Sequence, residues 1–203
     1  VDWAGHSNDI AAAMAEMHDL NLALEYLVSY VEEHPDTLVV LTADHSTGGL
    51  TIGARGEYRW APEWLQNLKQ SPETIARNIT DVDSPIAYVS DALGFELNEK
   101  ESQQVVELAK QDDLKARFAG IKALLDIRSN TGWTTSGHTG VDVEVFAFGA
   151  GSNQFYGQYD NTDIAKKLFG LLPAQQKAEQ VKAKSKAQSE KSQCDFETDW
   201  RCE

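Results

Sequence analysis

Cysteine is nearly absent. Only Cys194 and Cys202 occur in 203 residues, both within the last ten, so no disulfide can staple the body of the fold. The pair can form at most one local bridge, and a pair this sparse does not define a redox compartment. Long apolar runs are absent too. No stretch of 18 or more apolar residues occurs, which argues against a transmembrane helix. The sequence opens on Val1 with no basic, apolar, small-residue leader after it. The expectation is a start removed by processing or truncation. Positive charge is scarce as well. The formal net charge is −14, and residues 174–203 hold six groups of each sign, so the whole excess lies in residues 1–173. Such a surface repels nucleic acid and anionic membranes, and both are poor partners. It also repels an anionic substrate unless a metal or an arginine reverses the field locally.

What is present suits one domain with a substantial core. Residues 9–33 read as a helix that Ser7 or Asn8 can cap. Ile10, Met14, Met17, Tyr26, Leu27 and Tyr30 recur at three- and four-residue spacing. A break near Asp19 to Asn21 is allowed, and Pro35 ends the segment. Residues 37–43 form a short β-branched apolar run, which predicts a strand buried on both faces, as in a parallel sheet. A loop at 46–49 and a short strand at 50–53 follow. From Arg55 to about Arg128 the chain turns polar, with Trp60 and Trp64 near the start and helical patterns at 99–110 and 113–127. This stretch, about 55–130, reads as a mostly helical insertion. Residues 131–140 are rich in glycine and hydroxyls and predict a loop. Residues 142–149 return to strand, and Asn161 can cap a last helix over 162–171. After Pro173 the composition shifts to Gln, Lys, Ala and Ser, with no apolar stripe until Phe196 and Trp200. A flexible polar tail over 174–203 is expected, or a weakly docked helix. The order helix, buried strand, insertion, strand, helix indicates an α/β layered fold, in which chemistry gathers at the carboxyl ends of strands.

Asp44 and His45 stand at such an end. Two adjacent polar residues after an apolar strand are costly without partners. In a regular strand they would face opposite ways, so they can reach one ion only if the backbone turns out, which 46–49 permits. The plainer alternative is a helix cap or a loop-anchoring hydrogen bond. Asp2 and His6 lie four apart and share a face if the segment is helical, although such a pair is common by chance. His138 sits among Ser136, Gly137, Thr139 and Gly140, where glycine permits close backbone approach; alone it reads as a surface-loop histidine. Taken together, His6, His45 and His138 with Asp2 and Asp44 have the number and type of ligands that suit two zinc ions. His18, inside the long helix, and His34, at its end, are assigned to structure.

Asp2-x-x-x-His6, then Thr42-Ala43-Asp44-His45 after an apolar strand, then His138-Thr139-Gly140 before another strand, resemble the alkaline phosphatase family. The similarity runs from Val1 to about Leu172, including the helix start at Asp160 to Asp163. The resemblance implies a three-layer α/β/α sandwich, incomplete in this chain, with residues 1–173 as the C-terminal part of the catalytic domain. It implies Asp2, His6 and His138 as ligands of one zinc and Asp44 and His45 as ligands of a second. It places Trp3 beside the phosphate pocket. The first motif and the long insertion look most like marine Vibrio-type enzymes, where a large loop reaches over the partner subunit of a dimer. The implied enzyme is periplasmic or secreted and hydrolyses phosphate monoesters through a phosphoserine.

The family's Asp-Ser-Ala nucleophile motif does not occur in the 203 residues. The resemblance assigns that serine, the phosphate-binding arginine and the magnesium ligands to an N-terminal half. The expectation is therefore a C-terminal fragment that supplies zinc ligands and is inactive alone, with magnesium bound only in the full-length enzyme. Two alternatives stand beside it: a metal-dependent phosphodiesterase or phosphomutase of the same superfamily, and an inert metal-binding fragment.

Overall fold

The chain alternates long helices with very short strands in a computed structural model that describes residues 1–172 and 180–186. It divides into two compact units, residues 1–29 with 42–144, and residues 30–41 with 145–203.

The first unit opens with α1 (Asp2–His6), a single turn that Ser7 closes. Asn8 then takes a left-handed conformation, φ 49°, and turns the chain into α2 (Ile10–Glu33). The side chain that caps α2 is Asp9, whose Oδ1 accepts from the Ala12 amide at 3.0 Å. The sequence pointed to Ser7 or Asn8. Ser7 is already used to end α1, and Asn8 is the residue that makes the corner, so the cap falls one position later. Helix α2 runs unbroken through Asp19 to Asn21. Its apolar stripe is buried only at Ile10 and Ala11; Met17 and Tyr26 are exposed.

The segment expected to be an insertion carries a 3₁₀ turn over Pro62–Leu65 and then α3 (Pro72–Asn78), α4 (Pro85–Leu93), α5 (Glu99–Ala109) and α6 (Leu114–Ser129). Each start is encoded locally. Ser71 caps α3 ahead of Pro72, and Pro85 opens α4, where its missing amide proton costs nothing. Asn98 and Glu101 form a reciprocal capping box on α5, and Asp113 caps α6 through the Lys115 amide. The core sits here. Ile75, Ile79, Val89, Leu93, Val105, Ile121, Leu124 and Leu125 are essentially without solvent contact. Each contributes about 1.5–3 kcal/mol by burial. Helix α6 lies at the centre, packed on α3, α5 and the 3₁₀ turn. Arg117 ties α6 to α3 by donating Nε–H to the Ala76 carbonyl at 2.7 Å. The expected helices at 99–110 and 113–127 are therefore α5 and α6. Helices α3 and α4 are too short for their periodicity to stand out in the sequence.

In the second unit, β1 (Leu38–Thr42) pairs with β6 (Val145–Gly149), followed by a 3₁₀ turn and α7 (Asn161–Leu171). Strand β1 is half-buried rather than enclosed on both faces, because β6 is its one strand neighbour among the described residues. Asp160, not Asn161, caps α7, since its Oδ1 accepts from the Thr162 amide at 2.9 Å. Cys194, Cys202, Phe196, Trp200 and most of the expected tail lie outside the described residues. Of that tail, residues 180–186 are helical and exposed.

Two further antiparallel pairs shape the functional region of the first unit. Strand β2 (Ser46–Thr47) pairs with β5 (His138–Thr139), and β3 (Thr51–Ile52) pairs with β4 (Thr131–Gly132). The segment expected to be loop at 131–140 thus carries two short strand pieces that pin both of its ends.

Candidate metal centre

The five residues singled out as ligands come together. Asp2 and His6 sit one turn apart on α1, with His6 Nε2 3.4 Å from Asp2 Oδ1. The backbone bends at Asp44, as the adjacent Asp–His pair requires, and the His45 amide donates to Asp44 Oδ1 at 3.1 Å. His45 Nε2 then lies 3.3 Å from Asp44 Oδ2 and 4.0 Å from Asp2 Oδ1. His138 enters through strand register: it stands opposite Thr47 in the β2–β5 pair, and Thr139 stands opposite Ser46. Thr139 Oγ1 and Ser46 Oγ are 2.8 Å apart and lock that register. The His138 ring stacks on His45 at 3.5 Å between centroids and lies 5.0 Å from His6.

Two ligand groups result. His6, His45 and His138 present nitrogens within 4.8 Å of one another, and so do the ligand atoms of Asp2, Asp44 and His45. The groups share His45. The donor chemistry fits zinc, since imidazole nitrogens and carboxylate oxygens are its ligands wherever thiolates are absent. The geometry groups His45 with both sets, whereas the family resemblance implies Asp2, His6 and His138 against Asp44 and His45.

The hydroxyl of Thr47 lies 3.2 Å from His45 Nδ1. When Nδ1–H donates to this oxygen, Nε2 carries the free lone pair and faces both carboxylates. Nothing in the sequence marked Thr47, although its place two residues after His45 was visible.

The three segments that carry the candidate ligands are laced together by small contacts around Gly48. The Gly48 carbonyl accepts from the Thr134 and Thr135 amides at 2.9 and 3.2 Å, and its own amide donates to the Gly137 carbonyl at 2.9 Å. Asn8 Nδ2 donates to the Thr135 carbonyl at 3.0 Å. Gly48 has φ 74°, and a Cβ there would stand 2.5 Å from the Trp133 ring and 2.8 Å from Asn8 Oδ1. Only glycine permits this approach.

Trp3 is exposed on α1, its ring 6.4 Å from that of His6. The cleft beside it is lined by Phe118 and by the acidic residues Asp9, Glu16 and Glu73. Neither His18 nor His34 belongs to either group: His18 lines a separate groove, and His34 packs on Tyr30 at 4.1 Å.

A helix–strand frame that converges imidazoles and carboxylates from three distant segments defines an α/β protein with two side-chain groups that could hold metal ions. The Alkaline phosphatase family profile matches residues 1–173, and the chain belongs to that family. It is 43% identical over 175 residues to alkaline phosphatase 3 of Bacillus subtilis (strain 168), covering 85% of this chain and 38% of that protein. It is 36% identical to alkaline phosphatase 4 of the same organism, covering 85% and 37%. The crystal structure of a cold-active alkaline phosphatase from a psychrophilic Shewanella sp. is similar with a TM-score of 0.81 at 49% identity, over 85% of this chain and 43% of that one. The fold is the α/β fold of alkaline phosphatases. The chain spans less than two fifths of the length of these curated relatives.

Proposed function

We propose that this chain supplies the zinc ligands of an alkaline phosphatase that hydrolyses phosphate monoesters through a phosphoserine. The observation that carries the reading is the convergence of His6, His45 and His138 with Asp2 and Asp44. Asp2, His6 and His138 are assigned to one zinc, and Asp44 and His45 to the other, with Trp3 beside the phosphate pocket. Bound zinc supplies positive charge and lowers the pKa of a ligated water. Asp2 and Asp44 bring two negative charges and the imidazoles none, so two zinc ions leave the centre positive inside a chain of net charge −14. That local reversal suits a dianionic substrate. Thr47 orients His45, and the β2–β5 register orients His138.

The serine nucleophile and the magnesium site are assigned to sequence outside these 203 residues, because the Asp-Ser-Ala motif is not among them. The same reading makes the protein a periplasmic or secreted homodimer of the Vibrio type, with the insertion reaching the partner subunit. No helix among the described residues is long and apolar enough to cross a membrane.

Zinc analysis of the purified 203-residue chain tests the reading. Zinc is expected on the wild type, with less on His138→Ala and on His45→Ala; equal zinc on all three overturns it. The chain alone is expected to leave a chromogenic phosphate monoester unhydrolysed when zinc and magnesium are added. Turnover above a metal-free blank overturns the placement of the nucleophile.

A further inference from the structure

We propose that Lys122 and Asp126, one turn apart on α6, are positioning residues that hold the ligand-bearing segments of the metal centre from the insertion side. The inference rests on the metal reading above and concerns residues that touch no ligand directly.

Two contacts reach out from the same face of α6. The Lys122 ammonium donates to the Ser7 carbonyl, the closing residue of α1 directly after His6. The same ammonium lies over the Phe118 ring, 4.4 Å from the centroid, and interacts electrostatically with Asp9 and Asp126. Lys122 therefore anchors the C-terminal end of the turn that carries Asp2 and His6, where a cation also complements the orphan carbonyls. One turn on, Asp126 Oδ1 accepts from Trp133 Nε1 at 3.3 Å. That hydrogen bond fixes the indole whose six-membered ring stands against Gly48, the backbone point to which Thr134, Thr135 and Gly137 all bond. Asp126 thus sets the indole, the indole sets Gly48, and Gly48 sets the spacing between His45 and His138. Helix α6 is rigid enough for this work because Ile121, Leu124 and Leu125 are locked in the core. Outer partners of metal ligands commonly change affinity 10- to 100-fold when lost.

The test compares Lys122→Met, Asp126→Leu and Asp126→Asn in the 203-residue chain, with zinc affinity read by competition against a chromogenic chelator. Asparagine keeps an acceptor for the indole, and leucine does not. Glu101→Gln serves as a control that weakens the insertion without touching either contact. The expected result is about tenfold weaker zinc binding for Lys122→Met and Asp126→Leu. Asp126→Asn and the control are expected to stay within about twofold of wild type. Wild-type affinity in Lys122→Met and Asp126→Leu overturns the proposal, and so does an Asp126→Asn as impaired as the leucine. Amide exchange of the metal-free chain supplies a readout that needs no zinc. Faster exchange at Thr134 and Thr135 in Asp126→Leu but not in Asp126→Asn supports the role, and unchanged exchange in both overturns it. Failure of the wild type to bind zinc would sink the metal reading alone and leave the exchange result to decide this one.

Discussion

The Thr47 hydroxyl lies 3.2 Å from Nδ1 of His45, and when Nδ1–H donates to it the Nε2 lone pair is left free to bind. Thr47 is also the residue opposite His138 in the β2–β5 pair, so one side chain influences two imidazoles. Thr47→Val removes the acceptor at nearly constant shape. Zinc affinity is expected to fall about tenfold, while Thr47→Ser retains it. Chelator competition measures both.

Gly48→Ala is expected to destabilise the chain by at least about 2 kcal/mol. The left-handed backbone alone costs an alanine about 1 kcal/mol, and the methyl must also displace Trp133 and Asn8. Gly56 provides the comparison. Its φ is 77°, but nothing lies within 4 Å of a Cβ there, so Gly56→Ala shows only the backbone part. Chemical denaturation of the two variants should separate strain from collision.

Glu101 and Arg128 meet through two short hydrogen bonds, 2.6 and 2.5 Å, with both side chains largely buried. The Arg128 hydrogen bond holds the Glu101 carboxyl below the usual glutamate range. A depressed acid stabilises the fold above its unfolded pKa and loses that contribution as pH falls through the folded value. Glu101→Gln is expected to cost about 2 kcal/mol at pH 7, roughly 5 °C in melting temperature. The difference should shrink in acid below about pH 4. Thermal melts at both pH values check this.

Asp126 runs the other way. Burial raises its pKa to about 6, against the lowering effects of the Trp133 hydrogen bond and of Arg55 and Lys122. Asp9 adds to the raising. The folded state therefore takes up a proton more readily than the unfolded chain between the ordinary value and 6, and the contribution of this group to stability falls as pH rises through that window. Asp126→Asn removes the titration. The fall in stability from pH 5 to pH 7 is expected to be smaller in the variant than in wild type, read by urea midpoints.

The clustering residues were legible because their types are distinctive and their settings local: Asp2 and His6 share one helical turn, and Asp44 and His45 follow an apolar strand. The strongly capped helices α5 and α6 were equally plain. Asp9 and Asp160 were missed as caps because a neighbouring Asn or Ser is as good a cap in isolation, and only the turn geometry selects between them. The roles of Thr47, Lys122 and Asp126 were not legible. Each depends on a partner brought close by packing, and a lysine and an aspartate one turn apart on a helix otherwise read as an ordinary surface pair. The half-burial of β1 was missed because an apolar run reveals hydrophobicity but not how many neighbours cover it.

The candidate ligands come from the start of the first unit, from just after β1, and from beyond the helical segment that ends with α6. An ion gripped by His6, His45 and His138 would bridge stretches of chain that are otherwise far apart. In a body without cysteine it would act as the missing cross-link, shrinking the freedom of the unfolded chain. Closing a loop of about a hundred residues is worth roughly 4–5 kcal/mol in chain entropy for a covalent bridge. Metal content would then govern how long the chain survives proteolysis.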